Sequence, residues 1–351
     1  MAQRSSVASR TISTPVILSL ILLVIALVAF TAHSGPFNQT VIDIFIRVIL
    51  VVGLYVFIGN SGVISFGHIG FTCLGAYMTA WLTMMPAMKK MTLQNLPALL
   101  QNAHLPFWLA VPLAGLFAAL CAVVFGKILM RLSGIAASIA SFAMLAVINQ
   151  VYSNWDTVTG GTSSVVGIPI NRSIWPYFIA ALIAVFIAWG YAISSSGLAL
   201  RSARDEATAA SASGVDIPRE RLIAFVLSAF LMGTGGALYA HSVGVVTPDT
   251  FYLALTFTSL SMLVVGGMSS LSGAVTGVVL LSAIIQVLRW LEKGIDLGGV
   301  KLSLPLGLQE IAIGAVMIVI LMYRPSGLTR NREFVWKGWP FNKFPGGEGL
   351  P

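Results

Sequence analysis

The groups in this chain that could do chemistry are few. They are four histidines, two cysteines and a small set of charged residues set in apolar sequence. His33, His68, His104 and His241 are scattered, and no HExxH pair places two imidazoles on one helix face for zinc. Cys73 and Cys121 lie far apart inside apolar stretches, with neither CxxC nor metal spacing, so each thiol reads as a small hydrophobe. No G-x-S-x-G elbow serves a His/Asp pair. Lys127 follows Gly126, but Ile128 offers magnesium no hydroxyl and the upstream glycine of a phosphate loop is missing. These residues name no catalytic group, no metal site and no cofactor. The chain is not expected to be an enzyme or to bind ATP itself.

A second set of polar residues interrupts apolar sequence. Asp43 and Arg47 are four apart, which puts both on one helix face. Glu310 falls near the end of the last apolar segment. Ionisable groups inside a membrane are functional candidates, and a structural pair is the equal alternative here. Segment 59–75 carries Gly59, Gly62, Gly67, Gly70 and Gly75, and segment 266–277 carries Gly266, Gly267, Gly273 and Gly277. Paired interruptions of this kind point either to broken helices along a transport path or to close packing through small residues. Asn60, Ser65, His68 and Asn149 are the candidate polar contacts of such a path. His68 could equally bond a neighbouring helix. No row of buried acids crosses the apolar segments, so a proton relay is not supported.

The elements that must position these groups follow from composition. Of 351 residues, 57% are hydrophobic and 9% charged, with a mean hydropathy of +0.91. Soluble domains carry about 25% charged residues. A globule of this length could not cover its surface, which excludes a soluble enzyme, a disordered chain and a disulfide scaffold. An all-α polytopic membrane protein remains, with about 8–10 transmembrane helices. Ten segments are apolar enough: 16–32, 41–58, 62–85, 106–130, 134–151, 174–193, 222–241, 252–267, 271–291 and 306–323. The Gly/Ser-rich segment 62–85 and the short 252–267 leave eight or nine full spans with re-entrant pieces as an alternative. The first apolar run, Pro15 to Ala32, is too long for an ordinary signal core and reads as a retained span.

The net charge of +8 comes without a basic run or a basic–aromatic stripe, so no nucleic-acid partner is expected. Ten spans with the N-terminus inside place 13 Lys and Arg on the inner side and 6 on the outer side. Arg47 lies within a span. This bias predicts both termini in the cytoplasm. One transmembrane domain is expected over 1–328, with a cytoplasmic tail over 329–351. Trp336, Trp339 and Phe341 of that tail suit the headgroup level.

The longest polar connection, 197–221, packs 8 charged residues into 25 positions. Leu198 to Ser213 favours one helix, closed by Gly214 in the left-handed conformation, with Pro218 in the first turn of the next helix. Ala203, Ala207, Ala210 and Gly214 recur at helical spacing and predict a small-residue face on that helix. Methyls bind lipid poorly, so the face reads as a protein docking surface rather than a membrane-lying one. The connection 152–172 is rich in Gly, Ser and Thr and reads as turns.

The charged connection resembles the cytoplasmic coupling segment of ABC-importer permeases. The loose pattern there is Glu-Ala-Ala, three residues, then Gly. Here Glu206-Ala207 is followed by Thr208, and Gly214 sits further on than that pattern expects. Other segments sharpen the likeness: NSGVISFGHIGFTCLGAY at 60–77, WDTVTGGTSSVVGIP at 155–169, RLIAFVLSAFLMGTGGALYAHS at 221–242, VVGGMSSLSGAVTG at 264–277 and Tyr323-Arg324-Pro325-Ser326-Gly327-Leu328. In this order they resemble the branched-chain amino-acid (LIV-type) ABC permease family, its M-type subunit in particular, over roughly 40–328.

The resemblance implies an inner-membrane permease subunit in an ATP-driven importer of branched-chain amino acids, urea, amides or aromatic acids. Its implied partners are a second, different permease subunit, two cytoplasmic ATPase subunits and an extracytoplasmic solute-binding protein, all in or on the lipid bilayer. ATPase coupling would fall to Arg201, Ala203, Arg204, Glu206, Ala207, Ala210 and Gly214. Binding-protein contact would fall to Gly160, Gly161, Thr162 and Ser163, for which a plain solvated turn is the competing reading. A self-contained channel or secondary carrier for a small polar solute is the alternative function. It has no need of the charged connection.

Overall fold

A computed structural model describes residues 13–32, 34–292, 295–297, 300–302, 308–324, 326–330 and 332–334. His33, the basic residues Arg4, Arg10, Lys293, Lys337 and Lys343, the aromatic residues Trp336, Trp339 and Phe341, Pro325 and the Glu310 side chain lie outside the described residues.

The long helices are α1 (Ser13–Ala32), α2 (Gly35–Ser61), α3 (His68–Thr83), α4 (Phe107–Leu129), α5 (Gly134–Asn154) and α6 (Ile174–Ile193). Two short helices follow, α7 (Ser195–Asp205) and α8 (Ala207–Ala212). The chain continues through α9 (Ile217–Val243), α10 (Leu253–Gly266), α11 (Leu271–Glu292) and α12 (Leu308–Tyr323). Each of the ten expected spans contains one of these helices. Eight helices are long and apolar enough to cross a membrane among the described residues. Segments 62–85 and 306–323 are not among them: each holds a helix of only 16 residues, about 24 Å, and residues 62–67 ahead of the first are irregular, from left-handed Gly62 to Gly67. Among the described residues, strand is confined to β1 (Val165–Val166) paired with β2 (Val245–Val246), and a hairpin of Ile295–Leu297 with Val300–Leu302.

Helix α2 is the axis of the bundle. It is apolar on every side, as a helix must be when neighbours surround it, and every residue from Val48 to Ser61 is buried. Pro36 starts it where a missing N–H costs nothing, and Gly62 ends it at φ +71°, in the left-handed region that tolerates glycine. Helix α9 packs against α2, α3 and α4. The α3–α9 contact is backbone on backbone: a methyl on Gly75 would sit 2.1 Å from the Gly233 carbonyl oxygen. The glycines of 59–75 therefore do both jobs open from sequence. Those at 59–67 flank a break, and Gly75 permits close packing.

Hydrogen bonds sort the connections into two ends. At one end Arg204 Nη1 reaches the Gly59 carbonyl at 2.7 Å, Ser138 Oγ the Ile64 carbonyl at 2.6 Å and Arg221 Nη1 the Leu132 carbonyl at 3.2 Å. The Leu328 N–H donates to Val265 there, at 2.9 Å, and Thr14 Oγ1 donates to Phe334 at 3.1 Å. The described start and finish of the chain thus share an end with α7 and α8. At the other end Trp81 Nε1 donates to Val158 at 3.1 Å and the Asn171 N–H to His241 at 2.9 Å, beside β1–β2. The 27 residues of α9 span about 40 Å between these ends.

Candidate functional site

The charged connection is two helices rather than one. The backbone breaks at Glu206, which is extended (φ −151°, ψ 100°) and turns its own carboxylate back to accept from the Thr208 N–H at 3.4 Å. The expected small-residue face is therefore not continuous. Ala203 and Ala210 are buried against the bundle, whereas Ala207 and Gly214 are exposed. The other local expectations match. Gly214 is left-handed at φ +85°, Pro218 sits in the first turn of α9, and Asp216 caps that turn through the Arg219 N–H at 3.3 Å.

Three contacts tie the connection to the bundle. Ser194 Oγ accepts from the Gly197 N–H at 3.1 Å and starts α7. The Ser196 hydroxyl donates to the Glu220 carboxylate, joining α7 to α9. Arg204 makes the long-range link: its guanidinium pairs with Asp205 at 3.1 Å while Nη1 donates to Gly59. A methyl on Gly62 would lie 2.6 Å from Arg204 Cγ, so the turn ending α2 is moulded to this arginine. Arg201 Nε is buried without a hydrogen-bond partner.

The candidate path residues begin one residue beyond Gly59. Asn60 Nδ2 bonds back to Val56 at 2.9 Å, and its Oδ1 is buried with no partner. Ser65 Oγ and His68 Nδ1 share a 2.7 Å hydrogen bond. His68 is fully buried, Nε2 has no partner, and the rings of Phe57 and Phe225 stand 4.9 Å away. Its hydrogen-bond partner is thus a serine three residues upstream rather than a group on another helix. Helix α5 pins the break from outside, through Ser138 to Ile64 and Ser141 Oγ to the Phe66 N–H at 3.2 Å. Asn149, two turns beyond Ser141, stands about 12 Å further along α5. The structure brings Ser65 and His68 together, keeps Asn60 bonded within α2, and leaves Asn149 apart.

Gly160, Gly161, Thr162 and Ser163 lie at the opposite end. Both glycines are left-handed, and Thr162 and Ser163 are exposed. A cavity of about 320 Å3 opens beside them, lined also by Thr92 and Asp156. Beneath it lies a residue that sequence reasoning counted only as a loop charge. Lys89 is fully buried, and its ammonium donates to the carbonyls of Trp81 at 2.6 Å, Leu100 at 2.8 Å and Ala103. All three donors are used, and burial pushes its pKa below the ordinary lysine value. Lys89 holds segment 81–103 together beneath this loop. The Asp43–Arg47 pair also differs from expectation: Asp43 accepts from Gln39 Nε2 at 3.2 Å, and Arg47 Nη1 is buried without a partner.

Among the described residues no three His, Cys, Asp or Glu side chains gather to hold a metal. What the structure offers is mechanical. An exposed, charged pair of helices is hydrogen-bonded to the end of the central helix, next to a break in the apolar core.

The profile of the family described as branched-chain amino acid transport system / permease component matches residues 36–321. The chain belongs to this family. It is 25% identical to the high-affinity branched-chain amino acid transport system permease protein LivM of Escherichia coli (strain K12) over 344 residues, covering 87% of this chain and 74% of the relative. LivM of Salmonella typhimurium is 25% identical over 317 residues, covering 81% and 67%. The autoinducer 2 import system permease protein LsrC of Enterobacter sp. (strain 638) is 25% identical over 196 residues, 55% of each chain. No solved structure matches significantly. Family membership makes the chain a multi-pass membrane permease of an ABC importer, a transport component rather than an enzyme. It does not favour the self-contained channel or carrier.

Proposed function

We propose that the chain is one of two unlike permease subunits of an inner-membrane importer, which carries a branched-chain amino acid or a related small solute. Two cytoplasmic ATPase subunits grip α7 and α8, and an extracytoplasmic binding protein docks on the 160–163 loop. Residues 1–328 act as one transmembrane domain and 329–351 as a cytoplasmic tail, with both chain ends on the ATPase side, where positive-inside bias also puts them. The two LivM relatives of Escherichia coli and Salmonella typhimurium match 87% and 81% of the chain, against 55% for LsrC, which favours the amino-acid class.

The observation that carries this reading is the hydrogen bond from Arg204 Nη1 to Gly59. Movement of α7 by an ATPase pulls on the last turn of α2, then on the irregular stretch 62–67 and His68. Energy enters at the exposed connection and is delivered at the break, with no phosphate loop in this chain. The other coupling candidates divide between contact and support. Arg201, Glu206, Ala207 and Gly214 face or border solvent, whereas Ala203 and Ala210 seat the connection on the bundle.

The test is reconstitution of the chain with its paired permease, the ATPase pair and the binding protein in proteoliposomes. Leucine uptake that requires both ATP and binding protein is the expected result. Uptake by liposomes holding only this chain, driven by an ion gradient, would replace this reading with that of a carrier.

A further inference from the structure

The turn that joins α4 to α5 gathers cations with no acid to meet them. Lys127 lies in the last turn of α4 and Arg131 one turn further on. Both are exposed, and among the described residues neither makes an ion pair or a hydrogen bond. Arg221 of α9 joins them through its Nη1 bond to the Leu132 carbonyl, while its Nε is buried without a partner. Gly126 lets the two helices come this close: a methyl there would lie 2.6 Å from the Leu222 side chain. No Asp or Glu occurs between Asp43 and Asp156. The acids of α7 to α9 are engaged elsewhere: Asp205 with Arg204, Glu206 with Thr208, Asp216 with the Arg219 N–H and Glu220 with Ser196. Helix α5 adds to the positive field, because Ser133 puts no side-chain cap on the first turn of its 21 residues.

Apolar rows lead away from this turn. Leu116, Leu120, Val124 and Ile128 recur every four residues along α4, and all four are exposed. They cover about 18 Å of helix, more than the roughly 15 Å of hydrocarbon in one leaflet. Ile135 and Ile139 are likewise exposed, one turn apart, at the start of α5. A free phosphate would meet the cations and leave the rows bare. An uncharged lipid would do the reverse. A zwitterionic headgroup would bring an ammonium among like charges. A phospholipid with net negative charge meets both: its phosphate takes charge-assisted bonds from guanidinium groups, and its two chains have a row on each helix. Basic pockets between membrane helices hold anionic headgroups in this way. A soluble protein partner would cover the cations but not rows that run into the bilayer.

We infer that the α4–α5 turn binds one anionic phospholipid, its phosphate held by Lys127, Arg131 and Arg221 and its acyl chains lying along the apolar rows of α4 and α5. The headgroup ties this turn to the start of α9, beside the Glu220 that receives Ser196 of α7. The site depends on the membrane spans alone and not on the solute carried.

The test offers the full, delipidated chain in detergent equal amounts of dioleoylphosphatidylglycerol and dioleoylphosphatidylcholine, and native mass spectrometry reads which lipid stays bound. One phosphatidylglycerol should be retained at least tenfold over phosphatidylcholine. Lys127→Gln combined with Arg131→Gln should bring the two lipids within about threefold. Lys90→Gln combined with Arg172→Gln removes two exposed cations at the opposite end and should leave the preference unchanged. The comparison of lipids on the unaltered chain needs no variant to fold, and equal retention there overturns the site. An unchanged preference in the Lys127 and Arg131 double variant also overturns it. Glycerol 3-phosphate, a headgroup without chains, should displace no lipid at millimolar concentration. Displacement would make this a phosphate site instead. Loss of ATPase-subunit binding in the double variant with its lipid preference intact would make it a protein-docking surface.

Discussion

Glu333 closes the N-terminus of α11 by accepting from Ser272 twice, at 3.0 Å from the N–H and 2.6 Å from the hydroxyl. The Leu271 N–H adds a third bond at 2.6 Å. A helix N-terminus has unpaired N–H groups and a partial positive charge, so a carboxylate folded onto it is favoured on both counts. Glu333→Gln keeps the shape and removes the charge. It is expected to cost about 1 kcal/mol, read as a lower melting temperature in detergent, and to leave the fold unchanged. An unchanged melting temperature would remove this cap from the account of stability.

Arg204 is expected to separate ATP hydrolysis from transport. Arg204→Ala removes a charge-assisted hydrogen bond of about 1.5–3 kcal/mol. Reconstituted importer carrying it should hydrolyse ATP while uptake falls tenfold or more. Arg204→Lys should recover uptake only in part, because an ammonium lacks the fork that reaches Gly59 and Asp205 together. Uptake per ATP equal to the unaltered protein in Arg204→Ala would refute the coupling role.

Lys89→Met should be far more damaging than its place in a loop suggests. It strips the donor from one buried and two part-buried carbonyls, the buried one worth about 1–3 kcal/mol when left unpaired. Lys90→Met, one residue on at an exposed position, is the matched control. Thermal melting of the two variants should differ by many degrees. Equal melting would mean that water replaces the ammonium at no cost.

Close packing of α3 on α9 predicts opposite outcomes for two glycines. Gly75→Ala forces a methyl to 2.1 Å from a backbone oxygen and should destabilise by about 1–3 kcal/mol or more. Gly190→Ala, in α6 with nothing within 4 Å of the new methyl, should stabilise by up to about 1 kcal/mol. Melting in one detergent ranks them.

The 160–163 loop is best tested at its exposed residues, since Gly161 is held against Asp156 by its own turn. Thr162→Trp and Ser163→Arg should weaken binding-protein affinity at least tenfold while leaving the permease folded. Affinity within twofold of the unaltered chain in both would return this loop to a solvated turn.

The spans were legible because a bilayer demands apolar runs of fixed length, and that demand is local. Gly214 and Pro218 were legible for the same reason, since each acts through its own backbone. The break at Glu206 was not. Helix propensity is nearly flat from Leu198 to Ser213, and what decides the break is Glu206 capping Thr208 while Arg204 reaches a carbonyl 145 positions away. The Lys89 cage is likewise made by residues that only folding brings together. Burial of Ala203 and Ala210 was hidden because small residues suit a docked face and a packed one equally.

The acceptor for Arg204 is a main-chain oxygen, and this constrains how the importer can drift over generations. Every residue type carries that oxygen, so no replacement at position 59 deletes it. Lesions that erase this tie arise at the arginine or at Gly62, whose turn is moulded to it, and not by loss of the acceptor. Second-site revertants of an Arg204 defect should therefore map to α7, α8 or the ATPase surface that meets them, and not to position 59.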